Sequence, residues 1–165
     1  MELIIADATP LILLAKLTLL DVLCDRLKMV VPMEVAKEAT HRQDLADAGY
    51  IQKLIAKKRI QTRKANSRQT SQIRKQWGLG KGEAEVITLA LKEQAVMMSD
   101  DFAAIRVAKT MQLKFTTTPL MIIELQRQNL ISMNMARAKL VELKNHAWIS
   151  SQILARAKEI LEGGV

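Results

Sequence analysis

The sequence predicts an α/β domain in which a mainly parallel sheet is sandwiched between helices, and three observations lead there. Short apolar runs rich in branched residues alternate with amphipathic stretches, the pattern of strands joined by helical crossovers. Two of those runs end abruptly in an acid, Asp7 and Asp100. The 165 residues, 49% of them hydrophobic, suffice for one core, and no internal repeat or low-complexity linker divides them.

Leu3-Ile4-Ile5-Ala6 reads as a buried strand that delivers Asp7 at its carboxyl end. Pro10 then opens a helix, since a proline in the first turn forfeits no hydrogen bond, with Thr9 as the expected cap. An apolar helical stretch follows from Leu17 to Leu27, then a strand over Met29-Val30-Val31, then a helix begun by Pro32 that carries Val35 and Glu38. Asp44 to Ala56 is helical by spacing. Arg59 to Ala65 reads as a strand, Ser67 to Trp77 as a polar helix or loop, and Gly78-Leu79-Gly80 as a turn. The next helix places Glu83, Ile87, Ala90 and Leu91 on one face and leads into the strand Val96-Met97-Met98. Asp100 and Asp101 introduce a helix through Ala104, Val107 and Ala108, and Leu113 to Thr116 is the last strand. The tail from Pro119 to Leu161 holds two or three amphipathic helices separated near Ser132 and Ser150, and Gly163-Gly164 closes the chain.

Composition narrows the function. The net charge of +8 favours polyanions, nucleic acid first and anionic membrane second. No leader or bilayer-length apolar run is evident, and the single Cys24 can form neither an internal disulfide nor a thiolate metal site, so a cytoplasmic protein is expected. Aromatic residues make up only 3% of the chain, which argues against a base-stacking platform. The positive charge concentrates in Lys57, Lys58, Arg59, Arg63, Lys64, Arg68, Arg74 and Lys75, a block with no acid in it and the expected RNA-contacting region. Apolar helical faces at Leu17 to Leu23 and in the tail suggest a homodimer.

In an open parallel sheet, functional groups gather at the carboxyl ends of the strands, so Asp7 and Asp100 are expected side by side. Glu38, on a helix that begins at a strand end, and Glu83, in the first turn after glycines, can project toward the same rim. Carboxylates crowded in this way repel one another unless a cation neutralises them, and oxygen-only ligation suits Mg2+ or Mn2+ better than zinc. Such an ion activates water for attack on phosphorus, which points to phosphodiester hydrolysis. No phosphate-binding loop with a Lys-Ser/Thr end is present, which argues against nucleotide hydrolysis.

The run Asp7-Ala8-Thr9-Pro10-Leu11-Ile12 with Leu14-Ala15-Lys16, then Val31-Pro32 with Val35 and Glu38, resembles the beginning of PIN-domain nucleases. Gly80-Lys81-Gly82-Glu83-Ala84-Glu85 and Ser99-Asp100-Asp101 followed by Arg106 extend the resemblance, in the same order, over residues 1–131. It is nearest to the compact prokaryotic branch that includes VapC-like toxins. The resemblance implies a PIN-like, Rossmann-like three-layer α/β/α nuclease domain over 1–131, with residues 132–165 as a helical extension packed on it. It further implies a metal-dependent endoribonuclease with Asp7, Glu38, Glu83 and Asp100 as catalytic, metal-binding acids, Asp101 and Glu85 as their understudies, and a small antitoxin protein as partner. Thr9 matches a Ser/Thr position that can bond an acid or a bound water. Thr116-Thr117-Thr118 departs from the pattern, which more often has a glycine there. The competing class is a non-catalytic RNA-binding or assembly module on the same fold.

Overall fold

β1 (Leu3–Ala6) forms the axis of the sheet, pairing in parallel with β2 (Lys28–Pro32) on one side and β4 (Val96–Met98) on the other. β3 (Ile60–Arg63) and β5 (Phe115–Thr116) add the two edges, so the computed structural model, which describes residues 2–163, has a five-stranded, all-parallel sheet in the order β3-β2-β1-β4-β5. Ile4, Ile5, Val30, Val31, Met97 and Met98 are at most 1% exposed, because helices cover both faces and leave no side of these strands for polar residues.

Crossovers from β1 to β2 to β3 run one way across the sheet, and those from β3 to β4 to β5 run the other. Right-handed connections then place the two sets of helices on opposite faces. The packing follows. α1 (Ala8–Lys16), α3 (Met33–Thr40) and α4 (Ala46–Ala56) pack together, and α6 (Lys81–Glu93) packs against α5 (Ser67–Trp77) and α7 (Phe102–Thr110). α8 (Thr118–Arg127), α9 (Met133–Glu142) and α10 (Ser151–Leu161) pack on one another beyond β5. Ser132 and Ser150 cap α9 and α10, each side chain accepting an N–H three residues on. Gly164, half of the expected closing pair, lies outside the described residues.

Local chemistry corrects three expectations. Asp7 caps α1 in place of Thr9, and Pro10 remains within the first turn. The helical stretch expected from Leu17 to Leu27 is interrupted at Thr18, whose positive φ of 59° turns the chain before α2 (Leu20–Arg26) begins. Leu17, Leu19, Leu20 and Leu23, expected as a dimer face, are at most 2% exposed and belong to the core.

Leu14 on α1 is fully buried in this core. Leu14→Ala should destabilise the chain by about 3 kcal/mol in urea unfolding, the transfer and cavity terms adding; a loss under about 1 kcal/mol would mean that α1 does not pack as described.

Candidate active site

The winding reverses between β1 and β4, and a crevice opens beyond the carboxyl ends of strands at such a switch point. Asp7 and Asp100 flank it. The Asp7 amide donates to the Met98 carbonyl at 2.9 Å, extending the β1–β4 pairing by one residue. One carboxylate oxygen accepts the Ala8 N–H at 2.8 Å and the other accepts the Ser99 hydroxyl at 3.1 Å. Asp7 is nonetheless only 6% exposed. Burial pushes its carboxyl up, the two hydrogen bonds oppose this, and the charges of Glu83 and Glu38 add to the rise, leaving it at about 6. Glu83 and Glu38 therefore stand close enough to Asp7 to repel it.

Those two carboxylates come from opposite faces of the sheet, so something must draw α3 and α6 together at the rim. The Lys81 ammonium pairs with Glu34 at 2.8 Å, and Glu85 accepts the Glu34 N–H at 3.3 Å, so the first turns of the two helices are tied directly. Glu85, an understudy for metal binding, is thus engaged in joining helices. A Cβ on Gly82 would lie in ordinary van der Waals contact, 3.6 Å from both Val35 and the Glu38 carboxylate and 4.0 Å from that of Asp7, so both acids stand beside this turn. A Cβ on Gly80 would overlap the Glu83 carboxylate itself. Gly80 thus leaves room for the Glu83 carboxylate at the head of α6, beyond merely reversing the chain.

Asp100 is held differently. Both its oxygens accept from Thr118, one from the N–H at 2.7 Å and one from the hydroxyl, at the start of α8. Burial raises its carboxyl above the usual range against those bonds, with no contribution from Asp7, Glu38 or Glu83. Asp7, acted on by Glu38 and Glu83, and Asp100, held by Thr118, are therefore fixed by different partners. Asp101, expected as an alternative ligand, caps α7 by accepting the Ala104 N–H at 2.7 Å. Ser99, quoted in the motif but given no role from sequence, bonds Asp7 and accepts the Asp101 N–H at 3.2 Å, so it braces both strand ends. Its position directly after a strand beside an acid was the signal. Thr118, in the run that departs from the family pattern, fixes Asp100 in place of a glycine.

Asp7, Glu38 and Glu83 form an all-oxygen set, the donor chemistry that a hard divalent cation takes. Among the described residues, no group of three Asp, Glu, His or Cys side chains is placed to hold a metal ion.

The basic block is not one surface. Lys57, Lys58 and Arg59 precede β3 and so lie at the rim opposite Asp7. Arg59 is engaged with Asp21 and Asp25 on α2. Arg63 pairs at 3.0 Å with Glu93, in the last turn of the helix whose first turn carries Glu83. Arg74 is close enough to Lys81 to act on its charge, which places it by the acidic rim. Lys64, Arg68 and Lys75 are exposed.

A doubly wound α/β fold with acids at its switch point defines a Rossmann-like α/β/α domain. The PIN domain family profile matches residues 3–162, and the chain belongs to that family, whose members are generally nucleases and commonly use divalent metals. The match continues through the helices after residue 131. The crystal structure of PAE2754 from Pyrobaculum aerophilum superimposes with a TM-score of 0.58 at 14% identity, over 76% of this chain and 98% of that one, a likeness of fold alone. No curated protein matches the chain. Among the described residues, no helix is long and apolar enough to cross a membrane.

Because the folded carboxyl of Asp7 titrates near 6 and its ordinary value is 3.8, the folded chain retains a proton between those values that the unfolded chain has released. Stability from this group is therefore greatest below pH 4, falls as pH rises to about 6, and is level above. In chelator, Asp7→Asn should exceed the parent by up to about 3 kcal/mol above pH 6, the difference shrinking toward pH 4. Urea unfolding of both chains across that range checks this, and a difference independent of pH would refute it.

Proposed function

We propose that the chain is a Mg2+- or Mn2+-dependent endoribonuclease that hydrolyses RNA phosphodiester bonds, with Asp7, Glu38, Glu83 and Asp100 as its acids. The observation that carries this reading is the approach of the buried Asp7 carboxylate and that of Glu38 to the same turn at Gly82, with the Lys81–Glu34 tie joining the helices that carry Glu38 and Glu83, acids whose charge a divalent cation would neutralise. When bound, such a cation supplies an activated water and a counter-charge for the leaving oxygen. Ser99 keeps the Asp7 carboxylate oriented, and Thr118 holds Asp100 facing the same crevice from its other wall. Arg74, beside the rim, offers a positive charge to the RNA backbone, with Lys64, Arg68 and Lys75 exposed on the same or neighbouring elements. As a VapC-like toxin, the protein would act in the cytoplasm, be restrained by a small antitoxin, and form a homodimer through its tail rather than through the buried leucines of α2.

The test is incubation with a mixed pool of structured and single-stranded RNA in Mg2+, Mn2+ or chelator. Cleavage should require metal and fall by about a hundredfold or more in Asp7→Asn and in Asp100→Asn. Gly80→Ala should leave stability within about 1 kcal/mol, because only the end of a flexible side chain must move. It should still slow cleavage about tenfold by displacing Glu83. The absence of an ion-sized cluster in the described residues favours a second reading, a non-catalytic RNA-binding module. RNA binding with neither cleavage nor metal uptake would establish that reading instead.

A further inference from the structure

The most exposed large apolar side chains of the described residues are Trp148 at 92%, Phe102 at 79% and Ile153 at 54%, and all three line one cleft. Its volume is about 610 Å³, within the range of sites that hold small organic groups. Thr9, Asp100 and Asp101 form part of its wall, which brings the cleft to the first turn of α1 and the loop after β4. Apolar exposure concentrated in one place marks a binding surface, whereas scattered exposure does not.

We propose that this cleft is a stacking subsite for unpaired nucleobases of an RNA strand whose phosphates lie along the acidic rim. The inference rests on the nuclease reading for the strand's position but adds a surface outside the acids. Phe102 is the first residue of α7, immediately after the cap Asp101, and Trp148 lies on the segment before α10. Both therefore present flat rings beside Asp100, over an aliphatic floor that includes Ile105 and Ile149. Rings of this kind accept any base through its π-face, while the aliphatic floor offers no hydrogen bonds with which to read sequence. Arg106 is exposed one turn along α7 from Phe102, on the same side of the helix, where it meets the next phosphate. On the nuclease reading, the place of Asp100 in the cleft's wall selects a nucleic-acid strand over a second protein as its occupant. It also gives the helices after residue 131 a role: they carry one half of the ring pair.

The experiment measures binding by the full chain, in chelator so that nothing is cut. The probes are a short labelled single-stranded RNA, a duplex of the same length, and the same strand with abasic internal positions. Trp148→Ala and Phe102→Ala should each weaken single-strand binding about tenfold, while Trp148→Phe should largely restore it. The abasic strand should bind the parent chain as weakly as the intact strand binds the alanine variants, and the duplex should be insensitive to them. Affinities within about twofold of the parent in both alanine variants, or equal binding of intact and abasic strands, would overturn the proposal. So would a sedimentation change from dimer to monomer in Trp148→Ala, which would make the cleft an interface between copies. Ring-dependent binding by a chain that never cuts RNA in Mg2+ would defeat the nuclease reading alone; normal cleavage with ring-independent binding would defeat the subsite alone.

Discussion

Parallel pairing of β1 with a neighbour on each side governs what this chain can do. A strand of four residues buried on both faces holds its position only because both of its edges are hydrogen-bonded, and the pairing continues one residue further, to the Asp7 amide. That extra bond fixes an acid at the point where the crossovers part. The crevice, the burial of Asp7 and the approach of α3 and α6 all follow from it.

The acids are kept together against their own repulsion. Burial and two neighbouring carboxylates raise Asp7, while Ala8, Ser99 and the cap of α1 hold it in place. Substitution of such a group by a neutral one generally gains stability and loses function, the usual conflict at a site organised for a charge supplied from outside. Gly82 lies against the same acids, with carboxylate oxygens of Glu38 and Asp7 at ordinary contact distance from where a Cβ would stand.

Charge and aromaticity are distributed in ways that composition conceals. A net charge of +8 suggests a single basic face, but Arg59 and Arg63 are engaged by acids and three members of the block lie at the far rim. Conversely, an aromatic content of 3% suggests no stacking surface, yet the two most exposed rings open onto one cleft beside Asp100. A few residues suffice when the fold brings them to the same place.

The sequence by itself determined the elements and the ends of the strands. Branched apolar runs, helical spacing, Pro10, the Gly78–Gly80 turn and the caps Ser132 and Ser150 are local signals, each read within a few residues, and the acids directly after β1 and β4 are local too. Only the tertiary structure decided how the adjacent acids Asp100 and Asp101 are held, one by Thr118 and the other by an α7 amide. It also decided that Glu85 joins helices while Glu38 and Glu83 act on the charge of Asp7, and that Phe102 and Trp148 line one cleft. The physical reason is the same in each case: strand order and side-chain partnership join residues far apart in the chain, and hydrophobic periodicity carries no information about which distant group stands opposite.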